Sequence, residues 1–269
     1  MIEIDLDTVV TALRGAGCVF AEEEAALLTG AASSPAELEL LVAQRISGIP
    51  LEHLLGWAEF RGLRVAVGPG VFVPRQRTGF LVEQAVRLGR SGSGGTRVVV
   101  DLCCGCGALG LAAATELARN GIRVHLTASD IEPAAVACAR RNLAPLSAHV
   151  YQGDLFDPLP AALAGHVDIL IANTPYVPTP MIARMPPEAR DHEPRYALDG
   201  GPDGLDIVRR VATEAAAWLA PGGSVLVESS EEQADSAMEI FARHGLTAFV
   251  RESEALYATA VIGMRRRDL

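Results

Sequence analysis

The sequence predicts a doubly wound α/β fold, and three features carry that prediction. From residue 97 onward, short apolar runs alternate with segments of helical period, the order expected of a largely parallel sheet covered on both faces. The first of those runs leads into a glycine-rich turn that opens a helix, a βα junction of the doubly wound kind. The chain of 269 residues is 49% hydrophobic and 21% charged, which supplies a core for one large domain with a small companion.

Up to about residue 50 the pattern is helical. Ile2, Leu6, Val9, Val10 and Leu13 recur on one helical face, and a second short helix covers residues 20–28. A third opens after Ser34. Pro35 takes its first position, Glu37 completes a capping-box signature, and Leu38, Leu41 and Val42 form its apolar face. Runs at 57–60 and 63–67 flank Arg61 and Gly62 and read as a hairpin. Residues 68–74 form a stiff connector, a helix covers 78–88, and the Ser/Gly run at 91–95 is a flexible break. Strands are then expected at 98–102, 124–128, 149–152, 167–172, 224–228, 248–252 and 257–263. Helices between them end near 119 or cover 132–143, 205–219 and 231–244. No helix separates the last two strands, so the final one is expected to run antiparallel. Between Asn173 and Gly204 neither period is visible and prolines recur, so a long loop is expected there. It leaves the carboxyl end of a strand, where open α/β sheets bind ligands.

Composition excludes several function classes. Lys+Arg is 23 against 33 Asp+Glu, a formal charge of −10, which disfavours non-specific binding to nucleic acid or anionic membranes. All the basic residues are arginine, which excludes a Schiff-base or P-loop lysine. The first residues lack a basic segment followed by an apolar one, so no secretory signal is expected, and no run is long enough to span a membrane. Of the five cysteines, Cys103, Cys104 and Cys106 stand too close for a disulfide framework, which suits reduced thiols in the cytoplasm. With no second Cys/His cluster, no metal site is expected.

The chemistry begins in the glycine-rich turn. Gly105, Gly107 and Gly110 form a G-x-G-x-x-G, and Asp130 stands about 20 residues further on at the end of the next strand, the spacing of a nucleotide-binding loop. A packing turn would need no acid in that register. Asp101 at the mouth of the first strand would oppose a pyrophosphate. S-adenosylmethionine has no phosphate, and its ribose, ammonium and sulfonium tolerate nearby acid, so it is preferred to NAD. Its carboxylate can take the helix N-terminus. Asp130 would accept the ribose hydroxyls of either.

The strand at 167–172 ends in Asn173, Thr174, Pro175 and Tyr176. An amide or aromatic amine nitrogen is a weak nucleophile because its lone pair is delocalised. Two acceptors on its two N–H groups hold it and favour rehybridisation. The Asn173 side-chain oxygen and the Thr174 carbonyl suit that task, and a residue before proline keeps an extended backbone. Tyr176 offers a ring face to substrate or to the sulfonium. No tuned general base is evident, so positioning carries much of the catalysis.

These segments, with Asp130 to Pro133 and Gly153 to Phe156, resemble the bacterial protein-glutamine N5-methyltransferases, the HemK/PrmC family. So do residues 48–56, 60–63 and 69–75, and the loop from Glu193 to Leu205. The resemblance spans about residues 45–228. It implies a seven-stranded Rossmann-like class I methyltransferase domain at 76–269, preceded at 1–75 by a small helical substrate-recognition domain with a hairpin linker. It implies S-adenosylmethionine as cofactor and the Gly-Gly-Gln glutamine of a peptide-chain release factor as substrate. Carried over by position, Asp101 and the loop Cys103, Cys104, Gly105, Cys106 and Gly107 hold the cofactor with Asp130. Asp154 and Leu155 flank the adenine, and Asn173 touches the cofactor as well as the acceptor. Asn173, Thr174, Pro175 and Tyr176 form the catalytic segment. The sequence departs from the family in three places. Thr174 replaces a proline, Gln76 and Arg77 replace Pro and an acid (with Gly79 for a second acid), and Cys103 replaces a glycine. Three other readings stand beside this one: an adenine N6-methyltransferase of nucleic acid, an NAD-dependent oxidoreductase, and a binding paralogue without catalysis. The sequence leaves the oligomeric state open.

Overall fold

The computed structural model of the protein describes residues 6–91 and 95–267. Ile2 and residues 92–94 of the Ser/Gly break lie outside them.

Four helices open the chain: α1 (Leu6–Gly15), α2 (Ala21–Ala31), α3 (Pro35–Ile46) and the short α4 (Leu51–Leu55). Val9, Leu13, Ala21, Ala25, Leu28 and Leu38 close a small core of their own. Ser34 caps α3 by accepting from the Glu37 N–H at 3.2 Å. The other half of the expected box is displaced by one residue: the Glu37 carboxylate accepts from Ser33, not from the cap. Either way an orphan N–H at the helix start finds a partner.

Strands β1 (Trp57–Phe60) and β2 (Leu63–Ala66) form the expected hairpin. Arg61 and Gly62 both adopt positive φ, at 50° and 70°, as a two-residue turn that follows the strand twist demands. The Arg61 guanidinium reaches Glu116 at 2.5 Å and the Gly79 carbonyl at 2.9 Å, so the turn is stapled to the two helices beneath it. Phe60, Val65 and Val67 are buried in the same core as those helices.

The remainder is the doubly wound sheet: α5 (Gly79–Ser91), β3 (Thr96–Leu102), α6 (Ala108–Arg119), β4 (Arg123–Asp130), α7 (Pro133–Leu143), β5 (His149–Gln152), β6 (Val167–Ala172), α8 (Pro187–His192), α9 (Asp206–Trp218), β7 (Leu219–Ser229), α10 (Glu231–Arg243), β8 (Thr247–Ser253) and β9 (Ala258–Met264). The seven strands lie in the order β5-β4-β3-β6-β7-β9-β8. β9 runs antiparallel to both neighbours, as expected from the missing crossover helix. Strand alternation divides the core. Val99, Ile169 and Ile171 face one helical layer, and Val100, Leu102, Leu170 and Ala172 face the other.

Two expectations need correction. β7 starts at Leu219, five residues early, because Leu219 pairs with Val167 across a register shift. The expected helix 205–219 takes in Leu219, and residues 220–223 lie between it and the expected strand at 224–228. The loop from Asn173 to Gly204 is also not structureless. It holds a 3₁₀ segment at Thr179–Arg184, helix α8, a second 3₁₀ turn at Arg195–Ala197, and a bridge between Val177 and Asp199. Each short helix follows a proline at its cap, Pro178, Pro186 and Pro194. None is long enough to show a helical period.

β3 is flanked by β4 on one side and β6 on the other, and the winding direction changes between β3 and β6. The loops that leave these two strands therefore diverge and open a crevice at their carboxyl ends.

Candidate active site

The crevice is a cavity of about 350 Å3. Its floor is the turn from β3 to α6. Cys104 N–H donates to the Ser129 carbonyl at 3.1 Å and Gly107 N–H to the Cys104 carbonyl at 2.7 Å, which fixes the turn against β4. Asp130 closes it from the side. One carboxylate oxygen accepts from Gly105 N–H at 2.8 Å and the other from Glu132 N–H at 3.0 Å. Each oxygen keeps a second lone pair for a hydroxyl group. Burial raises the Asp130 pKa above the usual carboxylate value, with the backbone N–H groups opposing.

Cys103, at the position where the resembled family has glycine, sits at φ 52°. This left-handed conformation costs an L-residue roughly 1–2 kcal/mol. Cys103→Gly relieves the strain and gives back part of the gain through the greater freedom of the unfolded chain. A net stabilisation of about 0.5–1 kcal/mol is expected in urea denaturation, with unchanged m-value. Burial pushes all three thiols of the turn up, Cys106 to about 12, so none is a thiolate nucleophile at neutral pH.

Asp101 has a different role from the one its position suggested. It is buried, at 1% exposure, and does not line the cavity. Strand alternation turns it toward α6, where it accepts from Gly110 N–H at 2.8 Å. A Cβ on residue 110 would lie 2.9 Å from that carboxylate and 3.2 Å from Leu126, so glycine is required for the helix to approach. Burial, followed by the Asp130 charge, raises the Asp101 pKa from 3.8 to about 8 against the Gly110 hydrogen bond. The carboxyl is therefore largely protonated at neutral pH, and it presents no charge to a ligand. The folded chain holds this proton where the unfolded chain has released it. Its contribution to stability is thus complete below pH 3.8 and is lost as pH rises toward 8. Asp101→Asn is expected to flatten the fall in stability over that window, read by denaturation at a series of pH values.

The opposite wall comes from β6. Asn173, Thr174, Pro175 and Tyr176 all line the cavity. The Asn173 Oδ1 and Thr174 Oγ1 atoms are buried and have no hydrogen-bond partner. The Tyr176 hydroxyl donates to Glu228 Oε1 at 2.9 Å and accepts from Arg77 Nη2 at 2.6 Å, and Arg77 Nε also reaches Glu228 at 3.1 Å. Burial, reinforced by the Glu228 charge, pushes the phenol up to about 12, so it is no base. The Tyr176 carbonyl is held by Gln233 Nε2 at 2.9 Å.

The loop 193–205 and the connector before α5 clasp each other above the cavity. Buried Glu193 accepts from Val73 N–H at 3.3 Å and from Arg75 at 2.5 Å, and the Tyr196 hydroxyl donates to the Gly70 carbonyl at 3.1 Å. Asp154 and Leu155 line the far end. Asp154 pairs with Arg210 at 2.7 Å, and Leu155, at φ 44°, is held by Ser129 Oγ on its carbonyl at 2.9 Å.

Of the residues singled out in the sequence, Cys103, Cys104, Gly105, Cys106, Asp130, Asp154, Leu155 and Asn173 to Tyr176 converge on this one cavity. Asp101 and Gly107 stand outside its lining, and Gly107 serves as the N-cap of α6. Arg77, Glu228 and Arg210 were missed as site residues. Arg77 alone left a signal, as an arginine where an acid was expected.

A seven-stranded sheet of this order, with a glycine-rich turn over its switch point and a polar strand-end segment beside it, defines a class I methyltransferase domain. Residues 69–182 match the family model of the methyltransferase small domain. A methyltransferase from Pyrococcus furiosus superposes with a TM-score of 0.53 at 16% identity, over 77% of this chain and 90% of its own, which supports the fold. A release factor glutamine methyltransferase from Mycolicibacterium smegmatis is 42% identical over 78% of this chain and 72% of its own length. One from Streptomyces coelicolor is 41% identical, over 75% and 70%. The chain belongs to the release factor glutamine methyltransferase family. A further relative, a 4-amino-L-phenylalanine/4-methylamino-L-phenylalanine methyltransferase of Streptomyces pristinaespiralis, is 36% identical over 76% and 69%.

Proposed function

We propose that the protein methylates the N5 amide nitrogen of a glutamine in a polypeptide, namely the Gly-Gly-Gln glutamine of a peptide-chain release factor, with S-adenosylmethionine as donor. One observation carries the reading. Asn173 Oδ1 is buried and unpartnered in the wall of the cavity that the glycine-rich turn floors. A buried orphan acceptor costs about 1–3 kcal/mol unless a ligand supplies its donor. A primary amide has two donors on one nitrogen. Asn173 takes one and the Thr174 carbonyl the other, which orients the amide and favours a pyramidal nitrogen.

The residues present suit the donor molecule. Spare lone pairs of Asp130 receive ribose hydroxyls. Asp154 and Leu155, with the exposed side chain of Ile131, border the space for the base. The backbone of residues 103–107 receives the amino-acid end, and Asp101 holds the start of α6 in place beneath it. When bound, S-adenosylmethionine supplies an electrophilic methyl group. The chain supplies orientation and exclusion of water, and no side chain here is tuned to remove the amide proton. Because Asp101 is largely neutral and turned away, the preference for this donor over NAD rests on the strand-end segment and on the family. The charge of −10 disfavours a nucleic-acid acceptor.

In this reading residues 1–75 recognise the release factor, and the enzyme works in the cytoplasm. No helix among the described residues is long and apolar enough to cross a membrane. A second acceptor is motivated by the Streptomyces pristinaespiralis relative: the aromatic amine of a small amino acid, which the same two acceptors could hold.

The test is transfer of labelled methyl to purified release factor, with mass spectrometry of the Gly-Gly-Gln peptide and 4-aminophenylalanine in a parallel tube. Label on the glutamine is expected. Label on the small amine alone would assign the second acceptor.

A further inference from the structure

A second cavity, of about 720 Å3, lies across Tyr176 from the first, and Arg77 and Tyr176 line both. It stands where β7 ends at Ser229 and where β8 turns into β9. Its lining is one-sided in charge. Glu231, Glu252 and Glu254 are exposed around it, while Arg77 is already engaged by Glu228 and Tyr176. Two buried polar atoms of its lining residues have no partner, Glu228 Oε2 and Ser229 Oγ, in residues only 5% and 7% exposed. A buried carboxylate oxygen and a buried hydroxyl in that state can each take a further hydrogen-bond partner. Tyr257 borders the same space at 91% exposure and φ 49°, a strained conformation for a bulky residue. An exposed aromatic ring and three exposed carboxylates around one cavity, with an unpaired carboxylate oxygen in its lining, are an environment for an ammonium or guanidinium group.

We propose that this second cavity binds a cationic side chain, lysine or arginine, of the acceptor polypeptide, close to the residue whose amide enters the first cavity. The inference rests on the protein-amide reading above. It assigns Glu231, Glu252, Glu254 and Tyr257 to substrate specificity and leaves the transfer itself to the first cavity. A nucleic acid would be repelled by the same glutamates.

The test uses the full chain and a peptide series in which one arginine moves through the positions flanking a single glutamine. Each peptide is paired with its citrulline counterpart, which keeps the shape and loses the charge. Binding is measured by calorimetry in the presence of S-adenosylhomocysteine, and methyl transfer is followed in parallel. At one or more positions arginine is expected to bind about tenfold more tightly than citrulline. The preference shrinks several-fold between about 50 and about 500 mM salt. It vanishes in the Glu231→Gln, Glu252→Gln, Glu254→Gln triple variant and weakens in Tyr257→Ala. Equal affinity within every pair overturns the proposal, whatever the transfer result. Charge-dependent binding that survives in the triple variant also overturns it, and failure of the glutamine reading is read separately, from absence of label on intact release factor.

Discussion

Replacing Asn173 with alanine is expected to lower kcat for methyl transfer by about 10²- to 10³-fold, the usual loss when a preorganised hydrogen-bonding group at the reacting atoms is removed. In the proposed mechanism positioning carries much of the catalysis. Asn173 Oδ1 is buried and has no partner within the protein. The arriving amide N–H supplies one. The loss should therefore fall on kcat, with a smaller change in the affinity for S-adenosylmethionine measured by calorimetry. Asn173→Asp keeps an acceptor at the same place and should retain more activity than alanine. A kcat for the alanine variant within threefold of the parent would remove Asn173 from the chemistry.

Arg45→Ala is expected to cost about 3–5 kcal/mol of stability in urea denaturation, because it strands a buried carboxylate. Arg45 on α3 donates to Glu24 on α2 through Nε at 2.6 Å and Nη2 at 3.2 Å, with both side chains about 10% exposed. Its Nη1 reaches Glu188 on α8 at 3.0 Å and the Ile49 carbonyl at 3.2 Å. One guanidinium thus joins the N-terminal helices to the loop that covers the active site. Removing both charged partners, as in Arg45→Met with Glu24→Leu, should recover most of the loss, since neither charge is then left unpaired. A loss below about 1 kcal/mol in the single variant would mean that water reaches Glu24. The double variant still lacks the tie to Glu188, so a lasting rise in KM for the protein substrate would separate the role of that contact from stability.

What the sequence made legible was local. The sheet strands and their helices follow from alternating apolar runs, and the cavity floor and wall are contiguous motifs, residues 103–107 and 173–176. What escaped was non-local or masked by turn chemistry. Leu219 joins β7 ahead of a Pro-Gly-Gly run. The helices of the covering loop are one or two turns long and proline-initiated. Arg77, Tyr176 and Glu228 meet from positions 99 and 52 residues apart, which no spacing rule anticipates. Asp101 is the instructive residue. Strand parity, with Val100 and Leu102 in the other layer, already turned its side chain toward α6 and away from the crevice. Position along the strand suggested a binding role, and the alternation of faces decided against it.

The clasp between the connector and the covering loop limits how chimeras of this chain can be built. Glu193 binds Val73 and Arg75, and Tyr196 binds Gly70, so two stretches more than 100 residues apart in the chain share one set of hydrogen bonds. They can be exchanged between relatives only as a pair. A chimera that takes residues 69–75 from one parent and 193–205 from another must by chance match a buried carboxylate to its arginine.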